Sequence, residues 1–358
     1  MSEGLQADDP GVRMLGRVLA GVDPREILLV HCGALPGVRS GARRLVLDVR
    51  ELAEAGRDAV PADDAAALAA LPRVQHAAVW PRAHLGKDFT FACLAQGALA
   101  LARGGTLWCA ARKHKGAESL ADHMVALLGN VDIVERDRGY RLMRSAHEGR
   151  VDEALARACI DQRYLIEDPV LGGLRLHSAP GVFSRRGLDD GTRALIEHVD
   201  AWAHDEAAPT HVIDLCAGIG PLALWAAQRW SQARVLAVES NFVAAGAMRE
   251  NIAAAGVGDR VTALVRDGLP REAGAETPPL HGVQVALVNP PTHAERGALI
   301  ELLRGLGRWM APGGHAFVVA SRAGVSSEGL REAGARVHAA EADGYAILRA
   351  SWDLGAGT

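Results

Sequence analysis

Asn289-Pro290-Pro291 follows directly on the apolar run Val283–Val288. At the end of a buried strand, these residue types suit one demanding task, the alkylation of a planar nitrogen. An amine on an aromatic ring, or a side-chain amide, is a poor nucleophile because its lone pair is delocalised. The Asn289 carboxamide oxygen and the Pro290 carbonyl can each accept one amino hydrogen, favouring a pyramidal nitrogen and aiming its lone pair. Pro290 and Pro291 fix φ and remove backbone N–H groups, so these carbonyls sit on a rigid loop. Taken alone, the triplet reads better as a plain stop after a strand.

A second stretch decides between these readings. Val212 to Leu215 is an apolar run carrying Asp214, and Cys216-Ala217-Gly218-Ile219-Gly220 is a tight turn before a helix opening at Pro221. A strand, a small-residue turn and a helix N-terminus bring a nucleoside cofactor close to backbone amides. Gly218 and Gly220 allow dihedrals that a Cβ disfavours. Asp214 is placed to accept from a cationic amine or to order the loop. Glu239, 19 positions past Gly220 and ending the next strand, suits ribose hydroxyls. Asp267, after the strand Val261–Val265, is placed to accept from an adenine amino group. A dinucleotide turn would have a third glycine where Ala223 stands, and hydride transfer gives no reason for Asn-Pro-Pro. The two motifs together point to methyl transfer from S-adenosylmethionine.

The elements that must position these residues recur. In the second half, strands are expected at 212–215, 235–239, 261–265, 283–288 and 315–320, with helices between them. The first half shows the same rhythm at 26–30, 45–48, 74–80 and 106–110, with residues 52–71 mostly helical and 89–102 a helix. Gly104-Gly105 and Gly313-Gly314 read as helix stops. Pro81 to Gly104 and Pro290 to Gly313 are both 23 positions. This implies an α/β fold with mostly parallel sheets. It consists of two tandem Rossmann-like domains from an internal duplication. The first copy has His31-Cys32-Gly33 for the turn and Trp80-Pro81-Arg82 for the proline loop, so it reads as degenerate. Residues 151–164 read as a connecting helix. The domains are expected at 1–150 and 165–358.

A net charge of −4 argues against a broad nucleic-acid coat but leaves room for a local basic face. The five cysteines are scattered, with no paired spacing and no metal-ligand cluster, so neither disulfides nor a metal is expected. The first ten residues are polar and acidic, unlike a signal peptide, and no run of about 18 apolar residues occurs. A cytoplasmic, non-membrane protein, as a monomer, is the expectation.

The chain resembles the RsmC/RlmG-type ribosomal RNA guanine N2-methyltransferases. The resemblance rests on Pro180-Gly181-Val182-Phe183-Ser184-Arg185-Arg186-Gly187-Leu188-Asp189-Asp190-Gly191, on Asp214 to Gly220, and on Asn289-Pro290-Pro291-Thr292-His293. In the first half it extends to Pro81-Arg82 and to Lys113-His114-Lys115-Gly116-Ala117-Glu118-Ser119. It implies a catalytic C-terminal domain, a non-catalytic N-terminal domain that helps to hold RNA, and N2-methylation of a guanine. It also implies that the segment from Phe183 to Gly187 closes over the cofactor, and that Thr292 and His293 lie against substrate.

The chain departs from that family at two positions. Cys216 stands where the family usually has glycine, and Thr292 where it usually has an aromatic to stack the target base. Three groups of basic residues fit RNA phosphates if they share a face: Arg112 to Lys115, including Lys113 and Lys115; Arg136, Arg138, Arg141 and Arg144; and Arg185-Arg186. Two other functions fit parts of the pattern. N-methylation of a protein glutamine would use the same Asn-Pro-Pro loop. A non-catalytic RNA-binding or ribosome-assembly factor would explain Thr292 and Cys216.

Overall fold

Continuous apolar runs such as Ile27–Val30 and Val283–Val288 suit strands buried on both faces. Each buried Leu, Ile or Val side chain contributes about 1.5–3 kcal/mol to holding them there. The structure is a computed structural model and describes residues 8–353 apart from 293 and 343. The first sheet comprises β1 (Ile27–Val30), β2 (Arg43–Val46), β3 (Ala59–Pro61), β4 (Val74–Val79), β5 (Leu101–Arg112), β6 (Asp132–Asp137) and β7 (Tyr140–Ala146). A hairpin follows, of β8 (Tyr164–Glu167) and β9 (Arg175–Ser178). The second sheet comprises β10 (His211–Leu215), β11 (Arg234–Glu239), β12 (Val261–Val265), β13 (Val283–Val288), β14 (Met310–Ala320), β15 (Arg336–Ala342) and β16 (Tyr345–Ser351).

The two sheets have the same order, β3-β2-β1-β4-β5-β7-β6 and β12-β11-β10-β13-β14-β16-β15. In each, five strands pair in parallel and the last two join antiparallel. Chain contacts separate two compact units. One holds residues up to 163 together with 179–183, and the other holds 164–178 and 184 onward.

Several sequence expectations are corrected. Residues 52–71 are not one helical stretch: the helix Val49–Ala55 ends, β3 intervenes, and Ala65–Ala69 is a separate short helix. The connecting helix is confined to Glu153–Ile160, and Tyr164 already belongs to a strand. The Gly-Gly pairs do not stop helices. They lie inside β5 and β14, where the pairing register shifts between Val74 and His76, and between Val283 and Val285.

The physical reason for the glycine pairs is visible at both sites. Gly104 and Gly313 take φ of 86° and 79°. A Cβ on Gly105 would lie 2.9 Å from the Ala102 carbonyl oxygen, and one on Gly314 would lie 2.9 Å from the oxygens of Ala311 and Val283. Gly314→Ala is therefore expected to destabilise the second unit by about 1–3 kcal/mol, the usual range for overpacking. Urea denaturation checks this, and a midpoint equal to wild type would show that the kinked strand relaxes freely.

Register gives a residue-by-residue match between the sheets. Val30 lies opposite Leu45 and Val79, while Leu215 lies opposite Val238 and Val288. The counterparts of Asp214, Cys216, Glu239 and Asn289 are then Leu29, His31, Val46 and Trp80. Asp48, the last residue of the strand expected at 45–48, is two residues beyond the position of Glu239. It caps the helix Val49–Ala55, accepting from the Arg50 N–H at 2.9 Å.

The strand ends of the first unit are closed. His31 is buried and packs against Phe89, with ring centroids 5.5 Å apart. Burial lowers its pKa to about 3, with the Arg82 charge acting in the same sense, so it is neutral at physiological pH. Arg82 and Glu51 form a buried ion pair. The backbone at Gly181 presses on the same spot, where a Cβ would meet the Phe89 ring at 2.8 Å and Leu47 at 3.7 Å.

Candidate active site

The second sheet brings the predicted residues to one edge. Leu215 is level with both Val238 and Val288, and Glu239 is level with Val265. The glycine turn, Glu239, Asp267 and Asn289 therefore all leave the sheet at the C-terminal ends of its parallel strands, where open α/β sheets bind ligands.

The turn after β10 has strained and special backbone. Cys216 has φ of 66°, Gly218 57° and Gly220 89°. A left-handed residue with a side chain is uncommon. This explains why glycine suits the position of Cys216. Glu239 holds the turn, its Oε2 accepting from the Gly218 N–H at 2.8 Å. Its Oε1 accepts from the N–H groups of Ser240 and Asn241 at 2.9 and 2.7 Å. Asn251, buried, donates to the Ile219 carbonyl at 3.0 Å and ties the turn to β9 through His177.

Asp214 is fully buried. Its Oδ2 accepts from the Ala223 N–H at 2.8 Å, while its Oδ1 is buried with no partner among the described residues. Burial pushes its pKa up to about 8; the Ala223 hydrogen bond opposes this and the Glu239 charge adds to it. A buried carboxyl oxygen lacking a donor needs one. A Cβ on Gly218 would point into open space. An unpartnered acceptor at the end of β10 and open space at Gly218 in the turn that follows fit a ligand with a cationic amine and a ribose.

Asn289 is held from one side. Its Nδ2 donates to Asp189 Oδ2 and to Thr192 Oγ1, each at 2.8 Å. Asp189 is also the N-cap of the helix Asp190–Trp202, accepting from the Thr192 N–H at 3.0 Å. Both amide hydrogens are thus occupied, and no donor among the described residues meets Asn289 Oδ1. Pro290 is buried, while Pro291 and Thr292 are exposed; His293 lies outside the described residues. The helix cap and its threonine carried no assigned role in the sequence reading. Their signal was there, in an aspartate followed three residues later by threonine at a helix start.

The other predicted residues are more dispersed. Asp267 is exposed, two residues past β12. Ser184 to Gly187 closes a tight turn, with the Ser184 hydroxyl donating to the Gly187 carbonyl at 3.0 Å. Phe183 is 69% exposed and groups by contact with the first unit. Lys113 and Lys115 lie exposed on a short turn after β5, also in the first unit. Of the second basic group, Arg141 pairs with Glu118 and Arg144 with Asp132, which reduces its net positive charge. Among the described residues no cluster of His, Cys, Asp and Glu could hold a metal, and no helix is long and apolar enough to cross a membrane.

A seven-stranded sheet of this order, with a glycine turn after its first central strand and an acid ending the next, defines a class I methyltransferase. Residues 173–349 match the family model described as the methyltransferase small domain. A ribosomal RNA small subunit methyltransferase C from Pseudomonas putida (strain W619) is 30% identical over 259 residues, covering 69% of this chain and 71% of that protein. A ribosomal RNA large subunit methyltransferase G from the same strain is 37% identical over 135 residues, 37% of this chain and 32% of that one. The solved structure of the T. thermophilus 16S rRNA N2 G1207 methyltransferase (RsmC), in complex with AdoMet and guanosine, superposes with a TM-score of 0.76. It covers 98% of this chain and 93% of that one at 22% identity.

The chain belongs to the ribosomal RNA small subunit methyltransferase C family. It is a methyltransferase.

Proposed function

We propose that this chain methylates the exocyclic N2 of a guanine in ribosomal RNA, and that only its second unit binds cofactor. The observation that carries the substrate chemistry is the Asn289 amide. With both N–H bonds occupied by Asp189 and Thr192, it offers an oxygen alone, and an oxygen recognises an amino donor. Relatives named as ribosomal RNA methyltransferases support the choice of RNA, and the T. thermophilus protein, named for N2, supports the choice of guanine.

S-adenosylmethionine, when bound, supplies a methyl group made electrophilic by its sulfonium. Asp214 Oδ1 would accept from its ammonium, Glu239 from the ribose hydroxyls and Asp267 from the adenine amine, while Gly218 and Gly220 allow close approach. Asn289 Oδ1 and the Pro290 carbonyl would hold the two N2 hydrogens, so that the nitrogen lone pair faces the methyl carbon. The chain's main contribution is then orientation. The proton that N2 must lose on alkylation would pass to solvent, since Asn289 Oδ1 and the Pro290 carbonyl are hydrogen-bond acceptors and not bases. The target base must leave any helix to reach Asn289.

The first unit has Leu29 for Asp214, Val46 for Glu239 and Trp80 for Asn289, so each acid or amide is replaced by an apolar or aromatic residue. Its exposed Lys113 and Lys115 suit phosphate contact. Calorimetry should give one cofactor per chain, with Glu239→Ala weakening it about tenfold to a hundredfold; a stoichiometry of two would reject the single active copy.

The substrate is tested with labelled S-adenosylmethionine and ribosomal subunits or naked ribosomal RNA, followed by mass spectrometry of nucleosides. N2-methylguanosine should appear. None above an Asn289→Ala control, or label in protein surviving nuclease digestion, rejects the reading.

A further inference from the structure

We propose that Asp189 and Thr192 are positioning residues for methyl transfer, fixing the Asn289 carboxamide so that only its oxygen faces substrate. This rests on the reading of Asn289 as the acceptor for an amino group.

A terminal amide can rotate by half a turn and exchange its oxygen for its NH₂ group at little steric cost. In the flipped state, Asn289 would present donors to an amine that is itself a donor. Here the flip is opposed twice. It would put the amide oxygen against the Asp189 carboxylate, which is 2.8 Å from Nδ2 in the observed state. It would also remove the second amide hydrogen from Thr192 Oγ1, likewise at 2.8 Å. The Thr192 hydroxyl is fixed in turn, because it lies 3.4 Å from Asp189 Oδ2 and can donate only where an acceptor waits. Thr192 is 4% exposed, so water does not substitute readily for either partner.

The first unit shows that the fold itself creates this meeting. Asp9 caps the helix Pro10–Leu19 as Asp189 caps its own helix. Asp9 Oδ1 accepts from the Trp80 indole N–H at 3.4 Å, and Trp80 is the register counterpart of Asn289. The cap aspartate therefore meets the residue at the end of the fourth strand in both units. With tryptophan there, the contact orients an indole ring. With asparagine there, the same contact decides which atom of the amide faces outward.

Cap and clamp can be separated. Serine caps a helix well but is too short to reach Asn289. Asp189→Ser should lower kcat at least tenfold, leaving the melting temperature within a few degrees and the cofactor affinity within about twofold. Asp189→Asn keeps an acceptor oxygen and should recover most of the rate. Thr192→Val, which keeps the shape, should act in the same direction as Asp189→Ser, and Thr192→Ser should recover.

A readout without RNA keeps this test apart from that of the substrate. In ¹⁵N-labelled protein, the Asn289 side-chain NH₂ signals, assigned by their loss in Asn289→Ala, should exchange slowly. They should exchange quickly in Asp189→Ser. If wild type methylates no RNA, the functional reading falls while the exchange rates still decide the clamp. Rapid exchange in wild type, a wild-type kcat in Asp189→Ser, or parallel losses of kcat, cofactor affinity and melting temperature would overturn the proposal.

Discussion

Replacing Asn289 by alanine should lower kcat by about 10²–10³-fold, the scale of removing one preorganised hydrogen-bonding group from a reacting centre. The cofactor dissociation constant should stay within about twofold. The separation follows from where Asn289 sits. It directly follows β13, whereas the groups that would hold the cofactor come from the turn after β10 and from the ends of β11 and β12. Its bonds run to Asp189 and Thr192, and none joins it to the glycine turn. Alanine leaves the Asp189 cap bond to the Thr192 N–H in place, so folding should change little. Single-turnover rates with saturating cofactor, alongside calorimetry, measure both quantities. Equal losses in rate and in cofactor affinity would show that Asn289 is part of the cofactor site instead.

The second large effect concerns Asp214 and pH. Its folded pKa of about 8 lies above the ordinary 3.8. The protonated carboxyl therefore stabilises the fold fully below the ordinary value, and that contribution is lost as pH rises toward 8. Within this window the loss approaches about 1.4 kcal/mol per pH unit, since the folded state holds one more proton than the unfolded chain. A cationic ammonium at Oδ1 would reverse the balance by favouring the carboxylate. Cofactor affinity should then rise severalfold per unit from pH 6 to 7.5. Close to one proton should be released per cofactor bound, measured calorimetrically in buffers of different ionisation heat. Asp214→Asn should flatten this pH dependence, weaken binding, and raise the unfolding free energy relative to wild type above pH 8. An unchanged pH profile in that variant would remove Asp214 from the ammonium site.

Much of this arrangement was readable because it follows from strong local rules. A short apolar run rich in β-branched residues and closed by a turn signals a buried strand, and Gly218 and Gly220 announce a turn with left-handed backbone. Register then puts Glu239 and Asn289 at the same sheet edge with no further information. The edge strand Asp132–Asp137 escaped because only Ile133 and Val134 interrupt its charged residues, too short an apolar run to announce a strand, and its order comes from pairing with β7. Gly104-Gly105 misled because glycine both ends helices and lets a strand kink beneath neighbouring carbonyls; only packing distinguishes them. The expected strand 45–48 runs two residues too far for a similar reason, since Asp48 is a helix cap beyond the strand end at Val46. Asp189 was visible as a cap, but its contact with Asn289 spans 100 positions and appears only once the helix is laid against the sheet.

Gly181 and its neighbours have a consequence for the order in which the chain is made. The first unit is not continuous: residues 179–183 belong to it, yet they follow the hairpin of the other unit. Until they emerge, Phe89 and Leu47, both nearly inaccessible in the finished fold, lack the backbone that covers them. A fragment cut after residue 163 is therefore expected to expose Phe89 and Leu47, which a fragment extended to residue 183 would cover. Dissecting the molecule for expression should follow that later boundary.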